Sequence, residues 1–343
     1  MPAETGTLNP QSASAATSRN RAPVFVLGCG RSGTKLLFHM IMSSGGFAVY
    51  QVESNVFNLL STRFGDLKHR ANREKLMQLW LQSKLFCRSG LERGEIEPLI
   101  LEKCRSGGDF LRLLMEAIAR KQGAQRWVEA TPLHLLYLPE IKRTIPNALI
   151  IHIIRDGRDV AVSLHKQDWI RPYPWDRERG VLVSGIFWNW IVNRGRNYGR
   201  ALGPDYMEVH YEDLVVQPQE TLNQIGAFIE HPMDYRRILE IGIGSVQNPN
   251  SSFQEDVKKA EFNPVGRWKS LLRPDQVAQL EANIGPLLED LGYPLSAPRR
   301  APTAPERLMA EWYPRQFAGK IWLKSHTWLG RTAEISRMGI GQK

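Results

Sequence analysis

A short apolar run that leads straight into a glycine-rich loop limits the possible folds of this chain more than any other feature. The run is Val24–Leu27, and its length and lack of polar residues predict a buried strand of a parallel sheet. Residues 28–35 follow with the sequence GCGRSGTK, and a segment of helix-forming composition extends to residue 42. Backbone N–H groups and the positive end of a helix dipole meet at such a loop. The N-terminal part of the chain therefore predicts an α/β unit with an anion-binding site.

Further short strand candidates alternate with helical segments along the chain. Strands are predicted at residues 126–129, 148–154 and 206–210, and the run at 148–154 is the clearest. Strands separated by helices favour a parallel sheet, because parallel strands need crossover connections. The sequence thus predicts a three-layer α/β fold. Helices cover both faces of a central, mainly parallel sheet, and the phosphate-binding loop follows the first strand.

The net charge of +10 limits the partners without choosing one. It suits an anionic ligand, and it equally suits nucleic acid or an acidic membrane surface. The three cysteines show no CxxC spacing, so no metal site is predicted and a reducing compartment is favoured. The N-terminus lacks the apolar stretch of a signal peptide, and no apolar run approaches the length of a membrane span. We therefore expect a cytoplasmic protein.

Three loop motifs compete for residues 28–35. The first is the phosphate loop GxxxxGK[ST] of ATP-binding proteins, in which the lysine contacts the terminal phosphates and the hydroxyl binds Mg²⁺. Gly28 and Gly33 have the required spacing, but Thr34 precedes Lys35, so the lysine and the hydroxyl are in swapped order. A small-molecule kinase is therefore an alternative with a poor match.

The second motif is the dinucleotide fingerprint GxGxxG, which Gly28, Gly30 and Gly33 match literally. Glu53 lies 20 residues beyond Gly33, where a ribose-binding acid would follow a second strand. Against this interpretation, Arg31 places a large side chain where a dinucleotide-binding protein needs a compact turn. A dehydrogenase thus stays a second alternative.

The third motif is an arginine followed by Ser-Gly-Thr, which residues 31–34 match. A matching element lies far along the chain, where Arg155 follows the clearest strand and Ser163 comes eight positions later in a predicted helix. Both side chains can reach one phosphate, because a guanidinium offers a forked permanent charge and a hydroxyl adds a further contact. The two elements predict two phosphate-binding positions at one edge of the sheet. The alternative to a phosphate site is a turn in which the charged residues at 155–159 form salt bridges with one another.

In these motifs and their order, the chain resembles the family of PAPS-dependent sulfotransferases, of the tyrosylprotein, glycan and bacterial type, over roughly residues 23–293. The resemblance implies that 3'-phosphoadenosine 5'-phosphosulfate (PAPS) donates the sulfuryl group, that 3'-phosphoadenosine 5'-phosphate (PAP) is the product, and that no metal is needed. It implies that the phosphosulfate is bound by Gly30, Arg31, Ser32, Gly33, Thr34 and Lys35.

The same resemblance implies the remaining donor contacts. Arg155 and Ser163 would bind the 3'-phosphate, and Tyr211, in the sequence YEDL, would approach the adenine. A later segment, NPVGRWK, resembles a glycine-rich element of the family whose backbone and basic residues hold the 3'-phosphate. Its predicted contacts are Gly266, Arg267, Trp268 and Lys269.

Sulfuryl transfer to a hydroxyl needs a general base within hydrogen-bond reach of the acceptor. Glu53 lies 22 residues after Arg31, where relatives of the tyrosylprotein type carry a catalytic glutamate, and it is the predicted base. His134 is the second candidate, because it lies upstream of the strand that leads to Arg155. Arg31 is expected to stabilise negative charge that develops on the donor during transfer.

The expected enzyme transfers the sulfuryl group in line to a hydroxyl or amine of a small molecule, a glycan or a lipid. No nucleic-acid partner is expected, and the oligomeric state is left open. The predicted organisation is a disordered leader at 1–22, a sulfotransferase domain at 23–296, and a proline-rich linker with a basic, tryptophan-containing tail at 297–343. This tail is a candidate for peripheral membrane contact. A non-catalytic nucleotide-binding scaffold is a further alternative.

Overall fold

The computed structural model describes residues 19–247 and 263–327. Within them, a parallel sheet has the strand order β2-β1-β3-β4. The strands are β1 (Val24–Leu27), β2 (Val128–Glu129), β3 (Leu149–Ile154) and β4 (Tyr206–His210). The predicted α/β fold with a parallel central sheet is thereby confirmed.

The helices of the described residues surround this sheet. They are α1 (Thr34–Ser43), α2 (Ser61–Arg63), α3 (Arg70–Leu81), α4 (Lys84–Ser89), α5 (Arg93–Lys103), α6 (Gly107–Lys121), α7 (Leu138–Thr144), α8 (Gly157–Lys166), α9 (Gly180–Arg200), α10 (Tyr211–Val216), α11 (Pro218–Ile229), α12 (Tyr235–Ile241), α13 (Trp268–Leu271), α14 (Pro274–Asp290) and α15 (Ala304–His326). Short turns lie at Val56–Leu60, Pro132–Tyr137 and Pro174–Arg179.

Strand β1 shows why the fold has three layers. Its side chains alternate, so Val24 and Val26 enter one apolar cluster while Phe25 and Leu27 enter another on the opposite face. All four are fully buried, which explains the uninterrupted apolar run in the sequence. Helices α1, α11 and α12 contribute to the first cluster, and α6 and α9 to the second.

The parallel register brings the ends of the strands to one edge of the sheet. Leu27 at the end of β1 pairs with His152 in β3, and Ile154 at the end of β3 pairs with His210 at the end of β4. The loops that leave β1, β2, β3 and β4 therefore meet at the carboxyl edge, where open α/β sheets bind their ligands.

The C-terminal helix α15 packs back on the domain. Its residues Met309, Tyr313 and Phe317 are buried, and Phe317 meets Phe187 of α9 edge to face at 5.1 Å between ring centres. Among the described residues, no helix is long and apolar enough to cross a membrane.

The predicted leader at 1–22 lies outside the described residues up to position 18. Its last positions are described, and there Arg19 donates to the Phe228 carbonyl at 3.0 Å.

Candidate active site

The loop between β1 and α1 is built on two residues with left-handed backbone conformation. Arg31 has φ 74° and Gly33 has φ 93°, and the Ser32 amide donates to the Cys29 carbonyl at 3.1 Å. A Cβ atom on Gly33 would lie 2.3 Å from the Tyr211 ring, so this position needs glycine for space as well as for conformation. The loop is thereby pressed against the element that follows β4.

The two predicted arginines lie together at this loop. Arg31 Nε donates to Ser163 Oγ at 3.0 Å, and Arg155 Nη1 donates to the Arg31 carbonyl at 3.2 Å. Burial and the neighbouring charge of Arg155 lower the pKa of Arg31. Two half-buried guanidinium groups so close together create a positive potential that favours binding of an anion. The structure thus brings Arg31, Arg155 and Ser163 into one cluster, as their sequence positions predict.

Arg155 is held in place by contacts on several sides. Its guanidinium lies 4.6 Å above the Tyr211 ring centre and 3.7 Å from the Asp159 carboxylate, and it donates to the Pro264 carbonyl. Its Nε is buried and has no hydrogen-bond partner among residues 19–247 and 263–327. A buried donor without a partner costs free energy, which a phosphate oxygen would offset. The cluster therefore fits a bound phosphate group.

The segment Gly266–Lys269 lies against Asp159, the carboxylate beside Arg155, and its backbone has another role than the one predicted. The amides of Gly266 and Trp268 donate to the Asp159 carboxylate at 2.8 and 2.9 Å. The prediction that these amides hold the 3'-phosphate is not supported, because their hydrogens are directed at Asp159. Trp268 is buried, and the guanidinium carbon of Arg158 lies 3.9 Å from its ring centre. This packing fixes the segment in place. Lys269 is exposed beside it.

Glu53 lies on the connection between α1 and α2, near the loop residue Lys35. Its side chain is exposed, yet neighbouring protein atoms partly desolvate it. Desolvation and the like charge of Glu129 raise the pKa of Glu53, while Lys35 opposes the rise. An accessible carboxylate with a raised pKa has the properties expected of a general base.

His134 is not placed to act as a general base. The imidazole is 0% exposed, its Nδ1 lies 3.1 Å from Glu129 Oε2, and its Nε2 accepts the Phe57 amide hydrogen at 3.2 Å. Both ring nitrogens are therefore occupied inside the protein, with the proton on Nδ1. The hypothesis of a catalytic His134 is corrected on this ground. The residue instead positions the turn that begins at Val56.

Glu129, at the end of β2, is a charged residue of the site that the motifs do not reveal. It is fully desolvated, which alone would raise its pKa, but His134 and the hydroxyl of Thr131 lower the pKa to about 2. Ser54 donates a further hydrogen bond to it at 2.8 Å. The signal in the sequence is a glutamate at the end of a buried strand, next to a Thr-Pro pair. Such a residue must be paired, because burying an unpaired charge is costly.

Trp169 is a second residue that the motifs leave out. The Arg31 guanidinium lies 5.3 Å from its ring centre, and a Cβ atom on Gly30 would lie 3.4 Å from its indole. The chain reaches this position through Asp168, whose φ of 51° turns it back after α8. Trp169 thus covers the glycine-rich loop from outside.

Cys29, although it lies inside the loop, is not a nucleophile. The thiol is buried, and burial raises its pKa far above the ordinary value of 9.0, so the reactive thiolate is not formed. In the part of the chain that the structure describes, no group of three or more His, Cys, Asp or Glu side chains is placed to hold a metal ion.

Known proteins with similar sequences include protein-tyrosine sulfotransferases. The chain is 22% identical to protein-tyrosine sulfotransferase A of Caenorhabditis elegans over 295 residues, which is 84% of this chain and 71% of that protein. It is 23% identical to the protein-tyrosine sulfotransferase of Drosophila melanogaster over 285 residues, and there it spans about half (52%) of the relative's length.

Solved structures share the fold. The sulfotransferase domain from the curacin biosynthetic pathway superposes with a TM-score of 0.55 at 16% identity, over 80% of this chain and 99% of that domain. The sulfotransferase domain from the Synechococcus PCC 7002 olefin synthase gives a TM-score of 0.53 at 20% identity, over 80% and 96% of the two chains. The model of the sulfotransferase family matches residues 23–235, more than half of the sequence. The predicted resemblance is thereby confirmed: the chain belongs to the sulfotransferase family and is an enzyme of sulfuryl transfer.

Proposed function

We propose that the donor is PAPS and that the enzyme transfers its sulfuryl group to a hydroxyl, or an amine, with Glu53 as the general base. The observation that carries the proposal is the cluster of Arg31, Arg155 and Ser163 beside the glycine-rich loop. ATP, the donor of a kinase, has no 3'-phosphate and does not require a second phosphate site of this kind. A nucleotide with a 3'-phosphate does require one.

The donor contacts divide between two elements. Arg155 and Ser163 would bind the 3'-phosphate, and Arg155 Nε offers a donor that the described protein atoms leave unused. The loop from Gly30 to Lys35, at the N-terminus of α1, would bind the phosphosulfate, because a helix N-terminus attracts negative charge. Bound there, PAPS supplies a sulfuryl group whose leaving oxygen gains negative charge. Arg31 is the half-buried cation of this loop that would stabilise it.

Glu53 would take the proton of the acceptor as the new S–O bond forms. Its raised pKa makes it a better match to a hydroxyl proton than an ordinary carboxylate, and its exposure lets an acceptor reach it. Lys35, at the end of the proposed donor loop, lies close enough to influence Glu53 electrostatically. The sulfuryl group and the acceptor would therefore come together between these two residues.

The acceptor is proposed as a class. The relatives named above are protein-tyrosine sulfotransferases, which supports a hydroxyl acceptor and adds a peptide to the predicted small molecules, glycans and lipids. A reducing, cytoplasmic location stays part of the proposal, supported by the free thiols of Cys29, Cys87 and Cys104.

Calorimetric titration with PAP, ATP and NAD tests the donor site. We expect PAP to bind in preference to both, and Arg155→Ala to weaken PAP binding by about 10- to 100-fold, since hydrogen bonds to charged groups contribute about 1.5–3 kcal/mol. Arg93→Ala is the matched control, because Arg93 lies on α5 and pairs with Glu97 at the surface. Preference for ATP or NAD, or equal PAP affinity of the two variants, would overturn the proposal.

A further inference from the structure

The C-terminal helix α15 has apolar residues on two opposite sides. The inner side carries Met309, Tyr313 and Phe317, spaced four residues apart and packed on the domain. The Tyr313 hydroxyl donates to Asp176 at 2.9 Å and accepts the Tyr173 amide hydrogen at 3.0 Å. The inner side thus fixes the helix, and its orientation determines which residues face outward.

The outward side of α15 is apolar as well. Leu308, Trp312, Trp322 and Leu323 are 67%, 52%, 55% and 44% exposed. With about 100° of rotation per residue, these four positions fall within an arc of about 100°. We call this set the outer face. A helix with one docked and one exposed apolar side is unusual for a protein surface, because contiguous exposed apolar patches mark interaction sites.

Positively charged side chains lie on or near the outer face. Arg307 and Arg315 are exposed, and Arg315 lies within the same arc. Of the two glutamates of α15, Glu306 is paired with Arg300 at 2.8 Å, which leaves Glu311 as the acidic residue near this face. Tryptophan beside arginine on one helix side is the composition of helices that lie in the headgroup region of a bilayer.

We propose that the outer face of α15 binds the surface of a lipid bilayer that contains anionic headgroups. Leu308, Trp312 and Trp322 insert among the headgroups, and Arg307 and Arg315 contact their negative charges. The helix stays docked on the domain through its inner side, so the whole enzyme is held at the membrane surface.

A second copy of the chain fits the outer face less well. Arg315 lies at the midpoint of α15, so two such helices packed antiparallel about a twofold axis would place Arg315 against its own symmetry mate. Like charges at the centre of an interface oppose association. A bilayer with anionic headgroups turns the same arginine into an attractive contact.

Co-sedimentation of the full chain with vesicles tests the proposal. We expect sedimentation with vesicles of phosphatidylcholine mixed with phosphatidylserine, little with phosphatidylcholine alone, and release by salt, because exposed charges are screened. The triple variant Leu308→Gln, Trp312→Gln, Trp322→Gln should reduce partitioning by at least about tenfold. Arg307→Glu with Arg315→Glu should abolish the preference for phosphatidylserine.

Val216→Gln is the matched control, because Val216 is also 67% exposed but lies on α10. It should partition like the unaltered chain. Unchanged PAP binding and circular dichroism of the triple variant establish that its fold is intact. Equal partitioning of the triple variant and the control would overturn the proposal. A dimer in light scattering that only the triple variant loses, without vesicle binding by any form, would replace it with an interface between two copies.

Discussion

Arg31 Nε donates to Ser163 Oγ at 3.0 Å, across a separation of 132 residues in the sequence. This bond joins the loop after β1 to helix α8, which follows the neighbouring strand β3. The arginine of the loop proposed to bind the phosphosulfate and the serine proposed to bind the 3'-phosphate therefore share one hydrogen bond. The two halves of the proposed donor site are therefore coupled, and we expect a substitution in one half to alter ligand binding in the other.

The variant Ser163→Ala tests this coupling. Removing the hydroxyl takes away a proposed 3'-phosphate contact and also a partner that orients Arg31. We expect PAP affinity to fall by about 5- to 10-fold, the effect of about 1–1.5 kcal/mol for one hydrogen bond. The PAPS KM should rise together with a fall in kcat, since Arg31 is misplaced at the leaving group. Calorimetry and initial rates measure both, and a loss confined to PAP affinity would argue against the coupling.

Glu53→Gln separates binding from turnover. The change keeps the shape of the side chain but removes the proton acceptor. We expect PAP affinity to stay the same while kcat falls by about 10²- to 10⁴-fold. The measurement is PAP titration alongside transfer to the acceptor of choice, and full activity of this variant would remove Glu53 from the mechanism.

The pH dependence of the reaction follows from the raised pKa of Glu53. A base works in its ionised form, so kcat/KM should fall as the pH drops through a midpoint above the ordinary carboxylate value of 4.5. Burial is the first cause of the rise and the charge of Glu129 the second. Glu129→Gln should therefore move the midpoint to lower pH, and an unchanged midpoint would contradict an effect of Glu129.

His134→Gln distinguishes a structural histidine from a catalytic one. The imidazole joins Glu129 to the Phe57 amide inside the protein, so the variant leaves a buried carboxylate with one partner fewer. We expect a loss of roughly 1–3 kcal/mol in the free energy of unfolding, measured in urea. At temperatures where the variant is folded, kcat should stay within about tenfold of the original, well short of the loss expected for a missing general base.

Local sequence predicts the parts of this site that depend on local structure. The strands predicted at residues 24–27 and 206–210 coincide with β1 and β4, and the strand-loop-helix pattern brings Arg31, Arg155 and Ser163 to one edge. The bond from Phe57 to His134 spans 77 residues, and no motif encodes it. It arises because the turn at Val56–Leu60 packs against the turn at Pro132–Tyr137, which only the assembled core determines.

Glu129 links the site to acid stability. Its pKa in the folded chain is about 2, below the ordinary 4.5, so its stabilising contribution is complete above about pH 4.5 and is lost as the pH falls towards 2. Unfolding curves of Glu129→Gln and the original chain should differ most near neutral pH and converge near pH 2. A constant difference across this range would contradict the assignment.

Trp169 offers the sharpest test of how the loop is closed from outside. Its indole contacts the Arg31 guanidinium and lies over Gly30, so Trp169→Ala uncovers the loop and leaves Arg31 less restrained. We expect the PAPS KM to rise by about 2- to 5-fold, the range of an exposed cation–π contact. Free sulfate formed without an acceptor should rise relative to transfer, because water now reaches the sulfuryl group.

Two control variants accompany Trp169→Ala. Trp169→Phe keeps the aromatic face and should restore most of the preference for transfer over release of free sulfate. Trp312→Ala removes a tryptophan of similar exposure, 52% against 56%, and should change neither quantity in a lipid-free assay. If Trp169→Ala raises the KM without releasing sulfate, the indole orients Arg31 but does not exclude water.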